Sequence, residues 1–268
     1  MAFAWLSCLI VCLSAVQDDN LEITNPRRTY GYLGAPRPKE MGILPGDTAH
    51  FSFDIKNLKM DESGKASYSV AIEIRDENGK VFYEQRPYRT VAQNLFGGNS
   101  MPCSAHVAIP VDAKPGVVDW KVTVIDRATK KSAVASGKGR VLPLDFGIVG
   151  VGLFSDPEAR VPMSAIAVVG DLAYLHLATV GFQRSKDSKQ PHVEVSLRVL
   201  DETGKPTTAK PIVGTINSNV DPKEQFLPVQ FGLSVTRPGR FTIELTAQDK
   251  LSGKRSQVSY GLRVLPLE

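Results

Sequence analysis

The chain has 268 residues, enough for one large domain or two ordinary ones. Hydrophobic residues make up 42% and charged residues 22%, which excludes a disordered, collagen-like or coiled-coil chain. The 32 Lys and Arg against 28 Asp and Glu leave +4, too small an excess to require a nucleic acid or other polyanionic partner. Three cysteines and four histidines supply neither a disulfide framework nor a repeated metal-ligand spacing.

Residues 2–16, AFAWLSCLIVCLSAV, form an uncharged apolar run that ends in small residues before Gln17, Asp18, Asp19 and Asn20. The run is shorter than the roughly 20 residues that span a bilayer. It therefore reads as a secretory signal peptide over residues 1–17, and a membrane contact is expected only if the segment is retained as an anchor. Cleavage would remove Cys8, Cys12 and Trp5, leaving Cys103 as the single thiol and Trp120 as the single tryptophan. Cys103 is expected to be a partly buried small hydrophobe in a loop.

Beyond the signal the chain repeats itself once. Gly46-Asp47 answers Gly170-Asp171, Asp76-Glu77-Asn78-Gly79-Lys80 answers Asp201-Glu202-Thr203-Gly204-Lys205, and Pro115-Gly116 answers Pro238-Gly239. Asp126 answers Asp249, and the run Arg140 to Leu144 answers Arg263 to Leu267. Separations of 123 to 125 residues throughout mean one duplicated unit with insertions confined to loops. The predicted organisation is residues 1–17 signal, 18–144 first module and 145–268 second module, joined by the short apolar Leu142-Pro143-Leu144-Asp145-Phe146-Gly147.

In chain order, Thr48 to Ile55 alternates apolar and polar residues, as does its counterpart Leu172 to Leu177. Tyr68, Val70, Ile72 and Ile74 form one apolar face, matched by Val193, Val195, Leu197 and Val199. Both strands stop at the Asp-Glu-x-Gly-Lys turn, whose glycine supplies the positive φ of a tight hairpin. After the shared Pro-Gly, Val118, Trp120, Val122 and Val124 are matched by Phe241, Ile243, Leu245 and Ala247. Trp120 is thereby assigned to a core rather than to a sugar platform. No helical period is convincing, and each unit is expected to be an antiparallel sandwich of about seven strands.

Pro238-Gly239, the alternating Phe241, Ile243, Leu245 and Ala247, then Asp249, Lys250-Leu251-Ser252-Gly253-Lys254 and a last strand through Leu262-Arg263-Val264 form a closing hairpin. It resembles that of bacterial immunoglobulin-like, fibronectin-type or macroglobulin-like modules. The resemblance implies an all-β chain of two tandem immunoglobulin-like sandwiches and carries no particular activity.

The site chemistry is sparse. His50, His176, His106 and His192 fall on polar phases at no ligand spacing, so no metal and no cofactor is expected. No G-x-S-x-G or H-E-x-x-H motif occurs, and the shared acids flank turns, so no catalytic residue is assigned and the protein is expected not to be an enzyme. Tyr30, Tyr32, Tyr83, Tyr88 and Phe96 are the aromatics left for recognition. The possible binding surface comprises Tyr83, Arg86, Tyr88, Phe96 and Asn99 in the first unit, with Asn217 and Asn219 in the corresponding loop of the second. The expected role is non-catalytic binding or spacing at a bacterial cell envelope, secreted or periplasmic, toward a protein or glycan. The alternative is a carbohydrate-binding module, or an accessory or inhibitor of a secreted enzyme such as a protease.

Overall fold

A computed structural model describes residues 20–268, and the segment 1–17 predicted to be a signal lies outside the described residues. Every regular element among the described residues is a strand. In the first half these are β1 (Glu22–Thr29), β2 (Thr48–Lys56), β3 (Lys65–Asp76), β4 (Val81–Gln93), β5 (Ser100–Ala108), β6 (Gly116–Asp126) and β7 (Ser132–Val141). They form a three-stranded sheet ordered β1-β2-β5 and a four-stranded sheet ordered β4-β3-β6-β7. In the second half follow β8 (Gly147–Phe154), β9 (Ile166–Val168), β10 (Leu172–Val180), β11 (Val193–Leu200), β12 (Ile212–Ile216), β13 (Leu227–Ser234), β14 (Gly239–Asp249) and β15 (Arg255–Leu265). Their sheets are ordered β13-β10-β8 and β12-β11-β14-β15-β9.

The alternation read from the sequence explains what each sheet buries. Phe51, Phe53 and Ile55 of β2 meet Tyr68, Val70, Ile72 and Ile74 of β3 in one buried cluster. Leu175 and Leu177 of β10 meet Val193, Val195 and Leu197 of β11 in another. Pairing is antiparallel except at β9, which runs parallel to β15 from Ile166 opposite Arg263 to Val168 opposite Leu265. The first half keeps only a trace of that strand, a parallel bridge between Ile43 and Val141.

The repeated acids fasten each half in the same way. Asp126 Oδ2 accepts from Lys59 N at 2.9 Å and Oδ1 from Ala128 N at 2.8 Å. Asp249 Oδ2 accepts from Gln183 N at 2.9 Å and Oδ1 from Leu251 N at 3.0 Å. Each carboxylate closes its own turn and also pins a segment more than sixty residues earlier. Burial opposes ionisation of Asp126, but the N–H donors of Lys59, Ala128 and Thr129 outweigh it and hold the carboxyl below its usual range. At the hairpins, Asp76 Oδ1 accepts from Asn78 N and Lys80 N, and Asp201 Oδ1 from Thr203 N and Lys205 N. Gly79 and Gly204 sit at φ 77° and 81°, which only glycine adopts without cost.

Three placements differ from expectation. Cys103 lies in β5, opposite Phe53, rather than in a loop; it is buried, and burial raises its thiol pKa. Trp120 packs on Phe51 with ring centroids 4.8 Å apart yet stays partly exposed, because its ring lies beside Gly137 at the sheet edge. Tyr30, grouped with the surface aromatics, is 2% exposed and belongs to the second half's buried cluster.

Candidate functional site

Strand direction places the candidate residues. The chain enters at the pole where β2, β4 and β6 end, since Asn57 Nδ2 donates to Asn20 O at 2.9 Å and Asn57 N to Asn99 O at 2.8 Å. The loop after β4 lies at that same pole, remote from the second half. On it Phe96 is fully exposed and Leu95 nearly so, while Asn94 Nδ2 donates to Gly97 O at 2.7 Å and fixes the loop from within. Asn99 Nδ2 donates to Asn57 Oδ1 at 3.0 Å, so it anchors the loop as much as it presents it.

Tyr83, Arg86 and Tyr88 lie on β4, an edge strand. Tyr83 is opposite Ile74 and packs against the first buried cluster, whereas Tyr88 is 46% exposed. Arg86 and Pro87 occupy the bulge where the register shifts between Val70 and Ile72. A proline bulge of this kind blunts an open edge against pairing with another strand.

Asn217 and Asn219 are exposed in the loop between β12 and β13. Arg184 Nη2 donates to Asp221 O at 2.9 Å and Glu224 O at 2.7 Å, and Val220 N donates to Gln190 Oε1 at 2.9 Å. The loop is thus held to the segment before β11. It sits at the end of the second half that meets the first, whereas the loop carrying Phe96 and Asn99 lies at the remote pole of the first half.

The polar cluster that the structure does assemble is the junction of the halves, built by the segment between β1 and β2. Arg37 Nη1 donates to Asp47 Oδ2 at 2.7 Å, both side chains being almost wholly buried. Asp47 Oδ1 accepts from Thr48 N at 2.8 Å and, across the junction, from Gly150 N at 2.9 Å. The Arg37 guanidinium stands 4.6 Å over the Tyr30 ring, and that ring meets Tyr260 with centroids 6.1 Å apart. Burial pushes the Tyr260 phenol up to about 12. Gly46, at φ 87°, lies so close to the second half that a Cβ there would come within 3.0 Å of Phe226 Cε1. Asp145 in the connecting segment pairs with Lys254. A charge pair withdrawn from water is favoured when its remaining donors and acceptors are also matched; Gly150 supplies one such match, while Arg37 Nε is buried without a hydrogen-bond partner.

The equivalent Asp171 has a local duty, accepting from Val168 N at 2.7 Å to close its own turn. The Gly-Asp repeat was legible, but its use in joining the halves was not. The only sequence signal was Arg37 in a segment the second copy does not reproduce.

The histidines fall off the core faces, and register brings two of them together. His50 is opposite His106 across β2 and β5, with the rings stacked 5.4 Å apart. Burial first, then the neighbouring His106 and the Arg37 charge, pull His50 down to about 4. Among the described residues no three His, Cys, Asp or Glu side chains group as metal ligands.

No protein-family model and no curated protein matches the chain. Among solved structures, the C-terminal domain of the Streptococcus pyogenes antigen I/II-family protein AspA aligns with 91% of this chain and 99% of its own. The identity is 12% and the TM-score 0.30, an overlap too loose to bear on role.

Proposed function

We propose that the protein is a secreted, non-catalytic protein of a bacterial cell envelope, in which two immunoglobulin-like modules held in one orientation act as a rigid spacer that presents its end loops to a protein or glycan. The observation that carries this reading is the junction, where the buried Arg37–Asp47 pair reaches Gly150 and Tyr30 enters the other half's core. A flexible tether would have a hydrated polar linker; here Phe146 of the connecting segment is itself a core residue. The apolar residues 2–16 support export. The non-catalytic assignment is supported by the shared acids Asp76, Asp201, Asp126 and Asp249, whose oxygens accept from backbone N–H groups.

Two spin labels test the reading, at Lys130→Cys in the first half and Glu202→Cys in the second, with Cys103→Ala removing the native thiol. A spacer gives one narrow distance distribution, which broadens when Arg37→Ala is added. A broad distribution in the parent would overturn it. Recovery of a partner from envelope extract should fall when Phe96→Ser and Tyr88→Ser are combined. Capture of a protease whose turnover then stops would instead establish an inhibitor.

A further inference from the structure

The two copies differ at one place beside their shared hairpin. In the first half β4 continues for 13 residues, and its first aromatics, Phe82 and Tyr83, pack against the buried cluster. The counterparts at the repeat spacing of 125 are Thr207 and Thr208, and β12 does not begin until Ile212 and lasts 5 residues. Beside these two threonines the second half carries a cleft of about 310 Å³, at the lower end of small-molecule sites.

Its depth is apolar: Val235, Ile243, Leu262 and Val264, all members of the second core, line it. Its mouth carries a cation. Arg237 lines the cleft, with its guanidinium 5.2 Å from the Phe241 ring centroid, and it has no ion pair or hydrogen bond among the described residues. The hydroxyls of Thr207 and Thr208 are committed, Thr207 Oγ1 donating to Val199 O at 3.2 Å and Thr208 Oγ1 to Lys210 O at 2.9 Å, while Ser234 and Thr236 also line the cleft. Asp201 on the adjacent hairpin accepts at Oδ1 from the Thr203 hydroxyl and from the backbone of Thr203 and Lys205; these bonds and, last, the Arg237 charge hold its carboxyl low, but it makes no ion pair with Arg237. The corresponding space in the first half is lined instead by Asp76, Glu77, Lys80, Asp112 and Lys114, with both signs of charge.

We infer that the cleft beside β12 is a binding site for a single-chain amphiphile with an anionic head. The chain lies against Ile212, Leu233 and Phe241 above the floor formed by Ile243 and Val264, and the carboxylate or phosphate head meets Arg237. An apolar tail gains from leaving water. A guanidinium stacked on an aromatic ring is preorganised for a planar or tetrahedral anion. The first half's mixed charges suit no such ligand.

The test follows methyl resonances of Ile243, Leu262 and Val264 in the protein beginning at Asp18, titrated with octanoate, octyl phosphate, octanol and acetate. Saturable shifts are expected with the first two, weaker ones with octanol and none with acetate. The stronger of octanoate and octyl phosphate identifies the head. Arg237→Gln should weaken the anionic probes roughly tenfold and leave octanol unchanged. Thr207→Phe with Thr208→Tyr, the residues the other copy carries, should close the cleft to all probes while thermal unfolding confirms an intact fold. Absence of saturable shifts with octanoate and octyl phosphate at about 10 mM, or undiminished binding to the Phe-Tyr variant, would overturn the site. Equal affinity of Arg237→Gln for both anions would overturn the role given to the charge.

Discussion

The first and second halves spend the same residues differently, and the contrast separates positions that close a sandwich from positions that meet something else. Asp126 and Asp249 do one job in both, each tying its own turn to a segment more than sixty residues earlier. Asp47 and Asp171 have parted: Asp171 closes its own turn, while Asp47 binds Arg37 and Gly150. The edge strands have parted too, β4 long and bulged, β12 short. Asp126 and Asp249 serve their own halves, whereas the same aspartate at Asp47 has been drawn into the junction.

The strongest way to break that comparison is at the junction. Arg37→Ala leaves Asp47 buried without its cation and should cost about 3 to 5 kcal/mol. Unfolding should then separate into two transitions by calorimetry, whereas removal of the Asp171 carboxylate leaves the halves coupled. A single transition in Arg37→Ala would mean that the apolar contacts of Tyr30 suffice.

The next test asks whether the shared acids are truly equivalent. Asp126→Ala and Asp249→Ala each strand buried N–H groups and should each cost about 3 kcal/mol. In hydrogen exchange, the loss of protection should stay within the half that carries the change. Unequal losses would show that the duplicated turn has drifted in function as well as in sequence.

A smaller effect concerns acid. His50 titrates near 4 in the fold against about 6.5 when unfolded, so the unfolded chain binds more protons between those values. Stability is therefore complete above about pH 6.5 and falls by roughly 2 to 3 kcal/mol as the pH drops toward 4. His50→Gln should flatten that slope in urea titrations across pH 4 to 7. The second half, with Ala173, Tyr174 and Leu175 around the corresponding position, lacks such a pair and should not share the slope.

Much of the fold was legible because burial on one face of a strand imposes a period of two, and because duplication shows each strand twice. The hairpin acids were readable for the same reason. Tyr30 was not, since a residue outside any alternating run shows no sign of being covered, and its cover comes from Tyr260, more than two hundred residues later. The His50–His106 pair needed the β2–β5 register, which sequence spacing does not supply. That Thr207 and Thr208 line a cleft depends on where β12 begins, which sequence spacing does not mark. Of the proposed binding residues, the exposure of Phe96 followed from its glycine-flanked loop. The inward packing of Tyr83 depended on the bulge at Arg86 and Pro87.

The chain enters the described fold beside Asn57, at the pole of the first half remote from the junction, and β15 carries it away from the junction toward the opposite end. Tension applied between the ends would therefore run along β1 against its antiparallel neighbour β2. Its ladder, from Glu22 opposite Lys56 to Thr29 opposite His50, would be loaded in shear, so that its hydrogen bonds resist together rather than opening in turn. The turns held by Asp126 and Asp249 lie to the side of that line of force. Pulled this way, the chain would load the pairing of β1 with β2 before any later ladder of the first half.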